Sequence, residues 1–167
     1  MSSLCIGDIC TTEELTDLIQ KKLLRQFGTD PNSASKTELY KAVSLVVRDI
    51  MSDMSTATYK DSDADSRKQV YYLSMEFLPG NLLKNNVFNL GLENMLRDAV
   101  LALSGDVDEL YRIDPDLGLG NGGLGRLASC YLDAAATLGM GAHGMSICYE
   151  YGIFKQRIIN GEQKELP

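Results

Sequence analysis

Residues 118–126 read Gly-Leu-Gly-Asn-Gly-Gly-Leu-Gly-Arg, and five of the eight positions from Gly118 to Gly125 are glycine. A run of this kind constrains the fold sharply, because a backbone without Cβ reaches φ > 0 and lets another group approach its N–H groups. It stands directly ahead of a helix-like run, Arg126 to Leu138. Successive N–H groups in such a turn form a concavity for an anion, and a helix N-terminus behind them adds partial positive charge. Two readings follow from the residues: a loop that cradles a phosphate, or a tight strand-to-helix connection whose glycines serve packing alone.

Two familiar glycine motifs fit poorly. Gly118, Gly120 and Gly123 match G-x-G-x-x-G, but that fingerprint follows an apolar strand and precedes an acidic residue about 20 positions on. Here Asp114-Pro115-Asp116-Leu117 comes before it, Asp133 falls inside the helix and Glu150 arrives late. Gly120 and Gly125 match G-x-x-x-x-G, yet Arg126-Leu127 stands where a P-loop needs Lys and Ser/Thr. Without that lysine and hydroxyl, triphosphate hydrolysis is excluded as a reading.

Elsewhere the chain alternates helical and extended patterns. Thr11-Thr12-Glu13-Glu14 has the form of a capping box, followed by Leu15, Leu18, Ile19 and Leu23 at helical spacing up to Gly28. Ser35-x-x-Glu38 opens a second helix with Leu39, Val43, Val46, Val47, Ile50 and Met54 as one apolar stripe. The acidic stretch Asp61-Ser62-Asp63-Ala64-Asp65 reads as a solvated loop before the next strand.

Val70 to Phe77 is the clearest strand, with Val70, Tyr72, Ser74 and Glu76 on one face. Leu82–Leu90 and Leu92–Leu103 read as helices separated at Gly91, and Asp106-x-x-Glu109 caps a further turn. After the glycine loop, Leu127, Tyr131, Ala134 and Leu138 share a helix face, and the alanines at 134–136 suit close approach to a sheet. Gly144 to Tyr151 and Ile153 to Ile159 read as strands, with Asn160-Gly161 as a hairpin turn signal. The pattern is mixed α/β.

Composition narrows the class. Hydrophobic residues make up 44% of the chain, charged residues 23%, and net charge is −7. An acidic chain with no basic patch is not a reader of nucleic acid or of anionic membranes. No apolar run approaches a membrane span and no basic segment precedes a cleavable one, so the expected location is cytoplasmic. Cys5, Cys10, Cys130 and Cys148 lack paired C-x₂-C spacing and have one histidine, His143, for company, so reduced, mostly buried thiols are expected rather than a metal site. His143 reads as structural.

Tyr71-Tyr72-Leu73-Ser74-Met75-Glu76-Phe77 followed by Gly118 to Ala128 resembles the N-terminal region of the α-glucan (glycogen/starch/maltodextrin) phosphorylases. Asn89-Leu90-Gly91-Leu92-Glu93-Asn94, Leu132-Asp133, Ala136-Thr137-Leu138-Gly139 and Tyr149-Glu150-Tyr151-Gly152-Ile153-Phe154 fall in that family's order. The similarity is dense from Val70 to Gly161; Val47-Arg48-Asp49 carries it further upstream.

The resemblance implies part of an N-terminal, glycogen-phosphorylase-like domain of GT-B type across residues 1–167. Residues 1–60 would be helical, and residues 70–167 an α/β region with a mixed sheet and flanking helices. It implies phosphorolysis: inorganic phosphate cleaves the terminal α-1,4 bond of a glucan and releases glucose 1-phosphate. It also implies pyridoxal phosphate, whose lysine lies far downstream in the family, and a homodimer. Carried onto this chain, the N–H groups of Gly123 and Leu124 would hold anions, Gly123 touching the cofactor phosphate. Gly122 and Gly125 would allow the turn, Asn121 would sit at the glucosyl pocket, and Glu76 would be an active-site neighbour rather than a proven acid or base.

Family members are several times longer, so a fragment inactive alone is the expectation. The alternative is a phosphate- or small-molecule-binding or phosphorylase-docking module without catalysis. Pro79-Gly80-Asn81 stands where the family has a Met-Gly-Arg-like sequence, and Cys148 where it has an arginine.

Overall fold

The structure is a computed structural model and describes residues 9, 11–64 and 68–166. The calls on Cys5, Cys10 and Asp65 lie outside the described residues. The chain divides into two compact units, one formed by residues up to 64 with Asn81–Pro115, the other by Lys68–Gly80 with residues from Asp116 onward.

The first unit is helical. Helix α1, Thr12–Lys22, begins on the capping box expected for it: the Glu14 N–H donates to Thr11 Oγ1 (3.2 Å) and the Thr11 N–H to Glu14 Oε2 (3.0 Å). A π turn, Leu23–Phe27, carries it to Gly28, whose φ of 65° ends the helix. Helix α2, Lys36–Ala64, starts on the reciprocal Ser35–Glu38 box. It runs through the acidic stretch as far as Ala64, so those residues continue the helix instead of forming a loop. Helices α3 (Leu82–Asn89), α4 (Glu93–Ala102) and α5 (Val107–Ile113) follow, with Asp106 capping the last through the Asp108 N–H.

Leu15, Ile19, Leu23, Val43, Val87, Leu92, Leu96, Val100 and Leu110 are fully buried, and they make this unit's core. The stripe on α2 holds from Leu39 to Ile50, but Met54 is half exposed because the helix outruns its packing partners there. One carboxylate is buried with the apolar residues. Asp114 accepts from the Tyr40 hydroxyl (2.7 Å) and the Leu83 N–H (3.0 Å), and its carbonyl accepts from Asn81 Nδ2.

The second unit carries the strands. Strand β1, Val70–Leu73, pairs in parallel with β2, Ala142–Met145, in the register Val70↔Ala142 to Leu73↔Met145. Parallel neighbours need a crossover, and helix α6, Gly123–Thr137, lies within it. Strands β3 (Lys155–Ile159) and β4 (Glu162–Leu166) form an antiparallel hairpin around Asn160-Gly161, both with positive φ as a two-residue turn of this hand requires.

The chain is α/β, but the described strands form two separate pairs rather than one mixed sheet. The strands expected at Val70–Phe77 and Gly144–Tyr151 are shorter in the structure. Regular pairing of the first stops at Leu73, although alternating exposure continues through Glu76, and the second stops at Met145, with the next strand starting at Lys155. The β1 extension turns to meet the glycine loop, where Phe77 bridges Leu119, and so leaves the β1–β2 pair.

Helix α6 also differs from expectation. It begins three residues earlier than Arg126, and it packs through Gly125, Ala128 and Ser129. Leu127 (45%), Tyr131 (53%) and Leu138 (74%) are exposed. Cys130 and Cys148 are exposed free thiols, not buried ones. His143 is structural in its contacts: it stacks on Tyr71, its cross-strand partner, at 5.0 Å and bonds Gln69 Oε1 through Nε2 (2.9 Å).

Candidate functional site

The glycine run divides at Gly122. Before it the chain is loop; after it, Gly123, Leu124 and Gly125 are the first three residues of α6. The opening N–H groups of a helix have no acceptor within it, and glycine at the N-cap supplies no side chain to take them. The N–H groups of Gly123 and Leu124 therefore stand at the positive end of a fifteen-residue helix.

The five glycines have different reasons to be there. A Cβ on Gly118 would lie 2.8 Å from Ile153 Cγ2, one on Gly120 2.7 Å from Glu76 Cβ, and one on Gly125 2.8 Å from Glu76 Cβ. Gly118 and Gly120 also have positive φ. These three are fixed by packing inside the unit. Gly122 and Gly123 have nothing within 4 Å of a built Cβ and no positive φ. The fold does not need glycine at these two positions, and they flank the free N–H groups. The packing reading of the loop thus accounts for Gly118, Gly120 and Gly125 and does not extend to Gly122 and Gly123.

The segment after β1 braces the loop. Phe77 N–H donates to Leu119 O (2.9 Å) and Leu78 N–H to Gly125 O (3.1 Å). Glu76 Oε1 accepts from the Asn121 N–H (3.2 Å) and from Asn121 Nδ2 (3.4 Å), which brings together two of the residues singled out by sequence. Arg126 Nη1 donates to the carbonyls of Leu78 (3.1 Å) and Pro79 (3.3 Å). It ties the turn at Pro79-Gly80 to the first turn of α6.

Sequence reasoning missed the support from the other side. The Tyr149 hydroxyl (2.6 Å) and Ser146 Oγ (3.2 Å) both donate to Met75 O, and the Ile153 N–H donates to Gly118 O (2.9 Å). The signal available in the sequence was that Tyr149 to Phe154 is dense in aromatic and apolar residues.

Chemically, this arrangement offers neutral N–H donors with open access, an amide at Asn121 and a carboxylate at Glu76. No cluster of metal-ligating side chains occurs among the described residues. Nor is any described helix long and apolar enough to cross a membrane.

Comparison with known proteins places this site in a family context. The family described as carbohydrate phosphorylase matches residues 100–167, which include the loop and all of α6. The chain is 41% identical to the glycogen phosphorylase of Bacillus subtilis (strain 168) over 155 residues, covering 93% of this chain and 19% of that protein. It is 48% identical to the glycogen phosphorylase of Chlamydia pneumoniae over 157 residues, 94% of this chain and 19% of the other. With the brain form of glycogen phosphorylase from Bos taurus the figures are 46% over 160 residues, 96% and 19%. The chain spans about a fifth of the length of these curated relatives, 19% in each case.

Proposed function

We propose, for a chain whose sequence relatives are the glycogen phosphorylases, that it supplies the phosphate-binding glycine loop of a glycosyltransferase of GT-B type. The reaction would be phosphorolysis of terminal α-1,4 bonds in glycogen or a related glucan, yielding glucose 1-phosphate. One observation carries the reading. Gly122 and Gly123, the two glycines that the fold leaves unexplained, border the free N–H groups of Gly123 and Leu124.

In this reading those N–H groups hold phosphate oxygens from the start of α6. Gly122 leaves the approach bare, and Gly125 lets the first turn close on Glu76. Fixed dipoles of this kind stabilise developing charge without reorganising during the reaction. Asn121, held by Glu76, faces the glucosyl unit. The donor set suits the phosphate end of pyridoxal phosphate, because it consists of neutral N–H groups with no competing side chain. When bound, that group supplies a phosphate able to exchange a proton with substrate phosphate. The homodimer and a cytoplasmic setting belong to the same reading.

The test is to exchange this chain for the matching segment of the Bacillus subtilis glycogen phosphorylase and to follow glucose 1-phosphate from maltodextrin and inorganic phosphate. The hybrid should turn over, and the 167-residue chain alone should not. Gly123→Val should fold, since a Cβ there has nothing within 4 Å and φ is not positive. It should cost the hybrid about a hundredfold or more in rate, the scale of losing a preorganised donor. Undiminished turnover by the variant would overturn the loop's role.

A further inference from the structure

The geometry points to Glu76 as the positioning residue of the glycine loop, acting as a hydrogen-bond acceptor that fixes Asn121 and, through it, the free N–H groups beyond. The inference rests on the phosphate reading for its consequence, not for its geometry.

The Glu76 side chain runs between two bare Cα atoms. A Cβ on Gly120 would come within 3.1 Å of its Cβ, Cγ and Cδ, and one on Gly125 within 3.1 Å of its Cβ and Oε2. Only glycine on both sides leaves room for this stem. At its tip Oε1 takes both the backbone and the side-chain N–H of Asn121.

Its own backbone is held from below. Ser74 Oγ donates to Glu76 O (2.7 Å) and accepts from the Glu76 N–H (3.3 Å). The N–H groups of the next two residues are bonded to the loop at Leu119 and Gly125. Glu76 is thus anchored by its own segment and grips the loop midway between these two backbone bonds. Its bonds go to Asn121, ahead of the N-cap, and leave Gly123 and Leu124 free to meet a ligand. A carboxylate that bonds its own loop in this way orients the site and need not transfer a proton.

The experiment compares Glu76→Gln with Glu76→Met in the ¹⁵N-labelled chain. Glutamine keeps the acceptor oxygen; methionine keeps the stem that fills the gap and removes the acceptor. Amide exchange at Asn121 should rise about tenfold or more in the Met variant and stay within about threefold of wild type in the Gln variant. Exchange at Leu78, bonded to Gly125 O, should be unchanged in both and so reports an intact unit. Inorganic phosphate, titrated against the Gly123 and Leu124 amides, should bind more weakly to the Met variant and normally to the Gln variant.

Unchanged exchange at Asn121 in the Met variant overturns the inference. So does a Gln variant as loose as the Met variant, which would assign the role to charge. A wild-type chain that ignores phosphate while Asn121 responds as expected upholds the positioning role and overturns the phosphate reading instead.

Discussion

Asp114 shows how one side chain decides the stability of a region. Its carboxylate is 8% exposed and takes the Tyr40 hydroxyl and the Leu83 N–H, so its removal strands two donors. Asp114→Ala should lower the stability of the helical unit by about 1–3 kcal/mol in urea unfolding, the cost of an unsatisfied buried partner. Tyr40→Phe, which deletes only one donor, should cost less. Tyr40 itself resists ionisation: burial and then the bond to Asp114 hold its hydroxyl above the usual tyrosine value. None of this was legible in the sequence, where Asp114 stood only as part of an acidic turn that made a poor strand. Burial of a charge depends on partners at Tyr40 and Leu83, and no local pattern reports them. By contrast, the Gly-rich run was legible as a loop feeding a helix because glycine acts on its own backbone. Which glycines were structural required seeing Glu76 and Ile153 beside them.

Among the elements, the two capping boxes and the apolar faces of α1 and α2 follow the sequence, and the face of α6 does not. Thr11–Glu14 and Ser35–Glu38 are contacts between residues three apart, so the sequence contains them whole. On α6 the large residues Leu127, Tyr131 and Leu138 are exposed, and Gly125, Ala128 and Ser129 make the packed face. Small residues let a helix approach its neighbours closely, and a period count weighted by side-chain size misses that. Ala128→Leu should therefore destabilise the strand-bearing unit by about 1–3 kcal/mol through overpacking. Leu127→Ala should stay within about 0.5 kcal/mol, as surface changes do. Reversal of that order in thermal melts would refute the assigned face.

The helices also carry a pH dependence. Glu38 is held below the ordinary glutamate value, first by the Ser35 hydroxyl, then by the Ser35 N–H and by Thr29. Asp49 is lowered by its bond to Lys22 and then by Arg48, and Asp108 by Arg97. A carboxyl whose value falls on folding adds stability above its unfolded value and loses it as pH drops through the folded one. The helical unit should weaken progressively below about pH 5. Glu38→Gln should flatten that decline in urea midpoints measured across the acid range. An unchanged slope would show that the box does not carry it.

For the molecule as a whole, apolar burial is uneven. Among the described residues, nineteen of the twenty buried hydrophobic ones form one cluster whose helical members lie in the first unit, and Ala128 is the exception. The second unit leaves Leu73, Met75, Leu124, Leu138, Tyr151 and Ile158 exposed. A parallel strand pair is ordinarily covered on both faces, and here it is not. This is why the mixed character of the chain was readable while its sheet was not. Strand propensity marks where extended segments lie, but pairing depends on which segments are present to pair. The resemblance to the phosphorylases, in contrast, was readable from order alone, since the motifs at 71–77, 89–94 and 118–128 hold their spacing whatever the sheet does.

An anion site at the start of α6 is the central proposal, and one titration tests it directly. Inorganic phosphate added to the ¹⁵N-labelled chain should shift the Gly123 and Leu124 amides in a saturable way, with Gly123→Val abolishing the response while the chain remains folded. Shifts confined to lysine- and arginine-bearing surfaces, or an equal response from the valine variant, would contradict it.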